Sequence, residues 1–463
     1  MKRTVLCMIA AMLLLASCNS TDNETPAETY EQPSAEITSA EEPAAAEPAE
    51  PAAEQEEAEE APAPIVLDSN DAVKDARESL FNEMTEAEKT DAARLKETEK
   101  KAMTSGSATM KYTVSKIGEP GENGYPVYIA LHGGGGTTKE VNDSQWQHMQ
   151  IYYRDSVECG IYIAPRGVRD TWNTHFNDES YALYERLIEN LCIYENIDTN
   201  RIYLMGYSAG GDGVYQISPR LADRFAAVNM SAGHPNGVNM TNLYNTPISF
   251  QCGENDTSYD RHKETARSGN RLEELSEKYC TAEFPEGYIH TVFLHVGKGH
   301  GVRDNDAKRS EQVIISNPDE WLKGAAAVRE KANTNAVDFV NQFTRDPLPE
   351  RIVWDLSVRA SGSDTETFYW LRAPKSLREG VVIVNYDKAT NTFNVEKNTV
   401  KGNVSIMVND EMADLFSPIT VTFNGESTSC TVTPTVDYMK KTISEKWDKN
   451  MIFAAEIPLP PNG

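Results

Sequence analysis

Arg201-Ile-Tyr-Leu-Met-Gly-Tyr-Ser-Ala-Gly-Gly-Asp212 decides how the rest of the chain is read. Ile202 to Met205 is a short apolar run, which reads as a buried strand. Gly206-Tyr-Ser208-Ala-Gly210 then fits G-x-S-x-G, a serine presented on a sharp strand-to-helix turn. Such an elbow strains the serine backbone, and a side chain at Gly206 or Gly210 would crowd the neighbouring strand or helix. The helix starting at Ala209 aims its free N–H groups and positive dipole end at whatever Ser208 attacks.

Outward from this elbow, apolar runs alternate with helical stretches from about Thr109 to Asn341, the pattern of an α/β domain. Expected strands are Met110–Val114, Val127–Leu131, Ile161–Ala164, Ile202–Met205, Ala226–Met230, Ile248–Cys252 and Thr291–Val296. They are continuous and apolar, as parallel strands covered on both faces should be. The second is followed by His132-Gly133-Gly134-Gly135-Gly136, an oxyanion-loop pattern. Its chemistry needs bare backbone N–H groups near a developing alkoxide. Gly134 or Gly135, with the amide of Ala209, is expected to supply them, and His132 to be a structural hydrogen-bonder.

A nucleophilic serine needs a base, and the base an orienting acid, in the chain order Ser, Asp or Glu, His. Gln251-Cys-Gly-Glu-Asn-Asp256 follows a strand, so its carboxylates sit where open α/β sheets build sites. Asp256 is the expected acid and Glu254 the runner-up. Gly297-Lys-Gly-His300-Gly follows the last strand, and its glycine-flanked His300 is the expected base. His295 lies within the strand and reads as packing. Trp172 follows a strand end, where it could bound a substrate group or simply pack. Asn142, Trp146 and His234 read as packing around the pocket mouth.

With these residues in hand, a resemblance emerges. Gly206 to Ala227, Ser231-Ala-Gly-His-Pro-Asn236, Val141-Asn-Asp-Ser-Gln-Trp146, Asp170-Thr-Trp-Asn173 and Phe343 to Trp354 are similar to a group of bacterial α/β-hydrolases. These are prolyl-oligopeptidase-like or carboxylesterase-like serine hydrolases. The likeness covers residues 110 to about 460 and implies the fold and the triad far more than the substrate.

The remaining segments are simpler. Met1-Lys-Arg3, an apolar Thr4–Ala16 and Leu15-Ala-Ser-Cys18 resemble a signal peptide ending in a lipoprotein lipobox, with Cys18 the acylated residue. Residues 19 to 63 hold 14 acidic residues and no Lys or Arg, so about half of the net charge of −27 sits there. That composition predicts a disordered, self-repelling spacer. The organisation read from the chain is 1–17 signal, 18–67 lipidated acidic linker, 68–108 helical segment, 109–345 catalytic domain and 346–463 β-rich accessory domain. In the last, Phe368–Arg372, Val381–Tyr386, Val404–Val408, Ile419–Phe423 and Cys430–Thr433 read as strands and Asp410–Leu415 as a helical turn. Five cysteines outside the leader and lipobox form no framework, though one Cys252–Cys280 bridge is compatible with export.

The expectation is therefore an α/β-hydrolase fold with a small C-terminal β-rich domain, and a monomeric, exported, membrane-anchored serine hydrolase. No metal or cofactor pattern is present, and the acidic balance argues against nucleic acid as a partner. Substrates expected are a small carboxylic ester or a short peptide. The ester is favoured, because the sequence holds no propeller or other large gating domain for peptides. A non-catalytic binding protein on the same fold is the contrasting reading, opposed by the intact Ser, Asp and His set.

Overall fold

The computed structural model describes residues 63–302, 312–332, 335–360, 362 and 365–460. The leader, Cys18 and most of the acidic linker lie outside the described residues. Helices α1 (Asn70–Glu88) and α2 (Ala92–Lys100) lead into strands β1 (Ala102–Ser105) and β2 (Ala108–Ile117). The segment expected to be helical thus ends in a strand, because Met103 finds a buried place beside β2. Next come β3 (Tyr125–Leu131), α3 (Lys139–Tyr152), β4 (Gly160–Pro165), α4 (Asp178–Tyr194), β5 (Ile197–Tyr207) and α5 (Ala209–Ile217). They are followed by β6 (Ala227–Ser231), β7 (Ile248–Gly253), α6 (Arg261–Tyr279) and β8 (His290–His295). A last group is β9 (Gln312–Ile315), α7 (Pro318–Leu322), β10 (Arg329–Ala332) and α8 (Ala336–Val340).

These strands form one sheet in the order β1-β2-β4-β3-β5-β6-β7-β8-β9-β10. From β4 to β8 every neighbour is parallel, while β2 pairs antiparallel with β4 and β9 antiparallel with β8. With the serine turn between β5 and α5, this is the α/β-hydrolase fold. Both faces of the parallel region are covered. Ile129, Leu204, Val228, Met230 and Phe250 face one core, and Tyr128, Ala130, Tyr203 and Met205 another with α3 and α8. Across β6 and β7 the second face turns polar: Ser249 Oγ and Gln251 Nε2 donate to Asn229 Oδ1 at 2.7 and 3.1 Å, and Tyr153 and Asn229 donate to Ser231 Oγ.

The C-terminal region adds two sheets. One joins β11 (Arg351–Asp355), β14 (Val381–Asp387), β15 (Thr392–Asn398), β17 (Ile419–Phe423) and β18 (Glu426–Cys430). The other joins β12 (Thr367–Phe368), β13 (Leu371–Arg372), β16 (Ser405–Val408) and β19 (Ala455–Pro458). The expected strand Phe368–Arg372 is broken at Tyr369, whose φ is +51°. The strand expected at Cys430–Thr433 ends at Cys430, and Asp410–Leu415 is a turn, not a helix.

Residues of these sheets share one hydrophobic cluster with the large sheet. Buried charges stitch the same boundary. Lys446, the last residue of α9 (Val436–Lys446), donates to Asp223 Oδ2 at 2.8 Å, Arg224 pairs with Glu185 at 2.7 Å, and Arg345 pairs with Asp448 at 2.6 Å.

Candidate active site

The elbow is as tight as its glycines demand. Ser208 sits at φ +58°, ψ −122°, a conformation that L side chains adopt only when the surroundings enforce it. Enforcement is visible on both sides. A Cβ on Gly206 would come within 2.1 Å of the Gly210 carbonyl oxygen, and one on Gly210 within 2.0 Å of that of Leu131. Ser208 N–H donates to the Ser231 carbonyl at 2.9 Å, and Ser208 itself precedes α5 as its cap residue.

The three residues expected to act together are brought together. Ser208 Oγ donates to His300 Nε2 at 3.0 Å, and His300 Nδ1 donates to Asp256 Oδ2 at 2.7 Å. Asp256 is 2% exposed, so its charge is shielded from water and directed at the imidazole. Its Oδ2 also receives the Cys252 thiol at 3.6 Å, and Arg261 stands 4.0 Å from Oδ1. Burial, with Asp256 beside it, pushes the Cys252 thiol up to about 12, so it remains an S–H donor. Cys252 and Cys280 are free thiols, so the bridge that the sequence allows between them is not formed: Cys252 is turned to Asp256 and Cys280 lies against Ser276 Oγ at 3.4 Å.

The other histidines are committed elsewhere. His132 Nε2 accepts the Gly167 N–H at 2.9 Å and its Nδ1 donates to the Gly133 carbonyl at 2.6 Å. Burial pushes its pKa down to about 4 and keeps it neutral. His295 lies 2% exposed against Gln251 Oε1 at 3.1 Å, and burial, assisted by Lys298, brings it also to about 4. His234 turns its N–H to Asp212 Oδ1 at 2.7 Å, so it braces the first turn of α5.

The glycine loop requires one correction. Gly135 N–H donates to Asn142 Oδ1 at 2.8 Å, so that amide is already engaged and is not a free oxyanion donor. Asn142, which reads from sequence as packing, is fully buried and clamps the loop twice, because its Nδ2 also donates to the Gly135 carbonyl at 2.9 Å. The same Nδ2 reaches Asp170 Oδ1 at 2.8 Å, and Arg166 binds Asp170 and, at 3.0 Å, Asp143. The signal was present in the sequence as Asn142-Asp143 and Asp170, but only the fold joins them. Trp146 packs as expected, its Nε1 donating to the Ala164 carbonyl at 2.8 Å.

His300 is gripped from the nucleophile's side as well. Tyr207, the residue before Ser208, donates its hydroxyl to the His300 carbonyl at 2.8 Å, and Tyr152 stacks on Tyr207 while bonding to the Val302 carbonyl. Sequence reasoning missed both tyrosines. Trp172 is 60% exposed, its ring edge-on to Phe176 at 5.3 Å, and its backbone lies against Gly135 and Gly136. A large apolar face is thus left in water beside the glycine loop.

No family model matches the chain, and no curated protein does. Solved structures similar to it include a thermostable esterase, at 18% identity and TM-score 0.36, aligned over 53% of this chain and 62% of the other. Esterase PE8 aligns at 15% identity and TM-score 0.29 over 42% of this chain and 94% of its own. A phospholipase/carboxylesterase from Dyadobacter fermentans aligns at 14% identity and TM-score 0.32 over 44% and 95%. The chain thus spans less than two thirds of the thermostable esterase. At such identities and scores the likeness carries no inference about the reaction.

Proposed function

We propose that the chain is a serine hydrolase that cleaves carboxylic esters. The observation that carries this reading is the unbroken line from Ser208 Oγ through His300 to buried Asp256, on a serine held at positive φ. Ser208 attacks the ester carbonyl while His300 Nε2 takes its proton. The alkoxide that forms is held by the Gly134 and Ala209 N–H groups. Protonated His300 then donates to the departing alcohol, leaving an acyl-serine. Water repeats the cycle and releases the acid. Asp256 holds the tautomer that keeps Nε2 free to accept.

Trp172 bounds the acyl or alcohol group on the oxyanion side. The polypeptide is exported and held at a membrane by acyl chains on Cys18, with the acidic linker as spacer. Among the described residues no helix is long and apolar enough to cross a membrane.

A fluorophosphonate probe tests the serine: wild type should label, and Ser208→Ala should not. A panel of nitrophenyl esters beside short peptide amides tests the substrate class. Turnover of amides at rates matching or exceeding the esters would replace the esterase reading with a peptidase one.

A further inference from the structure

The loop bearing His300 is exposed at Gly297, Lys298 and Gly299. A Cβ on Gly297, Gly299 or Gly301 would meet nothing within 4 Å, and Gly297 turns at φ +70°. Yet the imidazole must meet Ser208 and Asp256 at once. The acid loop beneath it supplies the grip. Glu254 N–H donates to the His295 carbonyl at 2.9 Å and Asn255 N–H to the Lys298 carbonyl at 2.8 Å. Gly253 lies directly under the loop, where a Cβ would come within 2.1 Å of the Gly299 oxygen.

One side chain joins this grip. Gly297 N–H donates to Glu254 Oε2 at 2.9 Å, while Glu254 Oε1 receives Arg329 Nη2 of β10 at 3.0 Å. Both carboxylate oxygens are therefore occupied, and neither is bonded to His300, whose Nδ1 is taken by Asp256.

We propose that Glu254 is a positioning residue for the catalytic base: its carboxylate latches the pivot glycine of the His300 loop and so sets where the imidazole stands. This rests on the Ser208–His300–Asp256 reading of the site. Gly297 is the residue whose rotation would swing the loop, and its N–H is the atom held. A carboxylate accepting a backbone N–H is among the stronger hydrogen bonds available. The Arg329 pair is half in water and is expected to matter less, since exposed ion pairs contribute little. Asn255 and Glu254 backbone bonds hold the two ends of the turn, and the latch fixes the bend between them.

The test uses the full chain with Glu254→Ala, Glu254→Gln and Arg329→Gln. Ester kinetics and backbone amide exchange across residues 296–301 are measured for each. Misplacing a catalytic group by about 1 Å can cost roughly 100-fold in rate. Glu254→Ala should accordingly lower kcat about 10- to 100-fold with KM nearly unchanged, and speed exchange at Gly297. Glu254→Gln keeps an acceptor oxygen and should restore kcat to within about threefold of wild type and restore exchange protection, the rescue expected of a hydrogen-bond acceptor. Arg329→Gln should resemble wild type. Unchanged exchange and kcat in Glu254→Ala would overturn the latch, and so would a glutamine variant as impaired as the alanine one. A wild type that turns over no ester would overturn the proposed reaction instead, and the exchange comparison would still decide whether Glu254 holds the loop.

Discussion

Two regions of this molecule organise charge in opposite ways. At the upper ends of the strands, Asp256 faces a histidine on a loop that is 40% exposed in its side chain and held by glycines and backbone bonds. At the boundary with the C-terminal sheets, Glu185, Asp223, Arg224 and Lys446 are all buried on regular elements or turns and pair with one another. Burial alone would raise the Glu185 pKa, but Arg224 and Lys446 outweigh it and bring it down to about 2. The first arrangement leaves one partner able to move a proton, and the second leaves none. A group that must change charge during turnover needs access to a second state, whereas a group that joins two layers is best locked in one.

The sharpest way to break the comparison is to remove function without touching the fold. Ser208→Ala and His300→Ala should each lower kcat by about 10⁴- to 10⁶-fold, because triad members act as a unit. Asp256→Asn should cost about 10⁴-fold through the wrong tautomer. Thermal midpoints should stay near wild type for the serine and histidine variants, whose side chains are partly exposed. Ester kinetics with calorimetry checks both halves, and an active His300→Ala enzyme would remove the base.

The complementary break is at the buried charges. Arg224→Met leaves Glu185 with Lys446, at 3.9 Å, as its charged partner and the Thr365 hydroxyl at 3.2 Å. Removing one partner of a buried pair typically costs about 3–5 kcal/mol. Denaturant midpoints should fall accordingly, while kcat of the protein that remains folded should hold. A variant with unchanged stability would show that the Arg224–Glu185 pair does not hold this boundary.

How much of this was legible before folding differs between the regions for a physical reason. Gly206, Ser208, Gly210 and the glycine run at 133–136 advertise themselves because tight turns and bare amides permit few residue types. Asp256 and His300 were legible because each closes a strand in the order the fold requires. Asp223 and Lys446 could not be paired from sequence, since they lie 223 positions apart and a lysine on an amphipathic helix reads as solvent-facing. Asn142 and Glu254 fall between: both stood next to recognised motifs, but their partners Gly135 and Gly297 are backbone amides, which leave no trace in side-chain pattern. The absent Cys252–Cys280 bridge illustrates the converse, because counting thiols says nothing about which way Cys252 points.

Acid offers a subtler contrast between buried and working histidines. His295 and His132 are held near 4 in the folded chain, below the unfolded value of about 6.5. The unfolded state therefore binds more protons between those values, and stability should fall as pH drops from about 6.5 to about 4. Each group contributes a loss of about 3 kcal/mol at the low end. Urea midpoints across that window should decline for wild type and decline less for His295→Gln. A pH-independent midpoint would mean that the buried histidines are hydrated.

The smallest effect expected is at Trp172, and it sharpens the comparison because this residue belongs to neither a lock nor a proton path. Its ring is mostly in water and touches Phe176 by an edge, so little folding energy depends on it. Its backbone, by contrast, is packed against Gly135 and Gly136, so the ring is presented next to the glycine loop. Burying such a face under a substrate group yields about 1–2 kcal/mol at roughly 25 cal/mol per Å². Trp172→Ala should then raise KM about 5- to 30-fold for esters with a bulky apolar group and leave KM for an acetyl ester of a small alcohol unchanged. Its thermal midpoint should not move. If KM for both esters stayed at the wild-type value, the exposed ring would not be a wall of the site, and the substrate group would have to lie on the opposite side, toward His300.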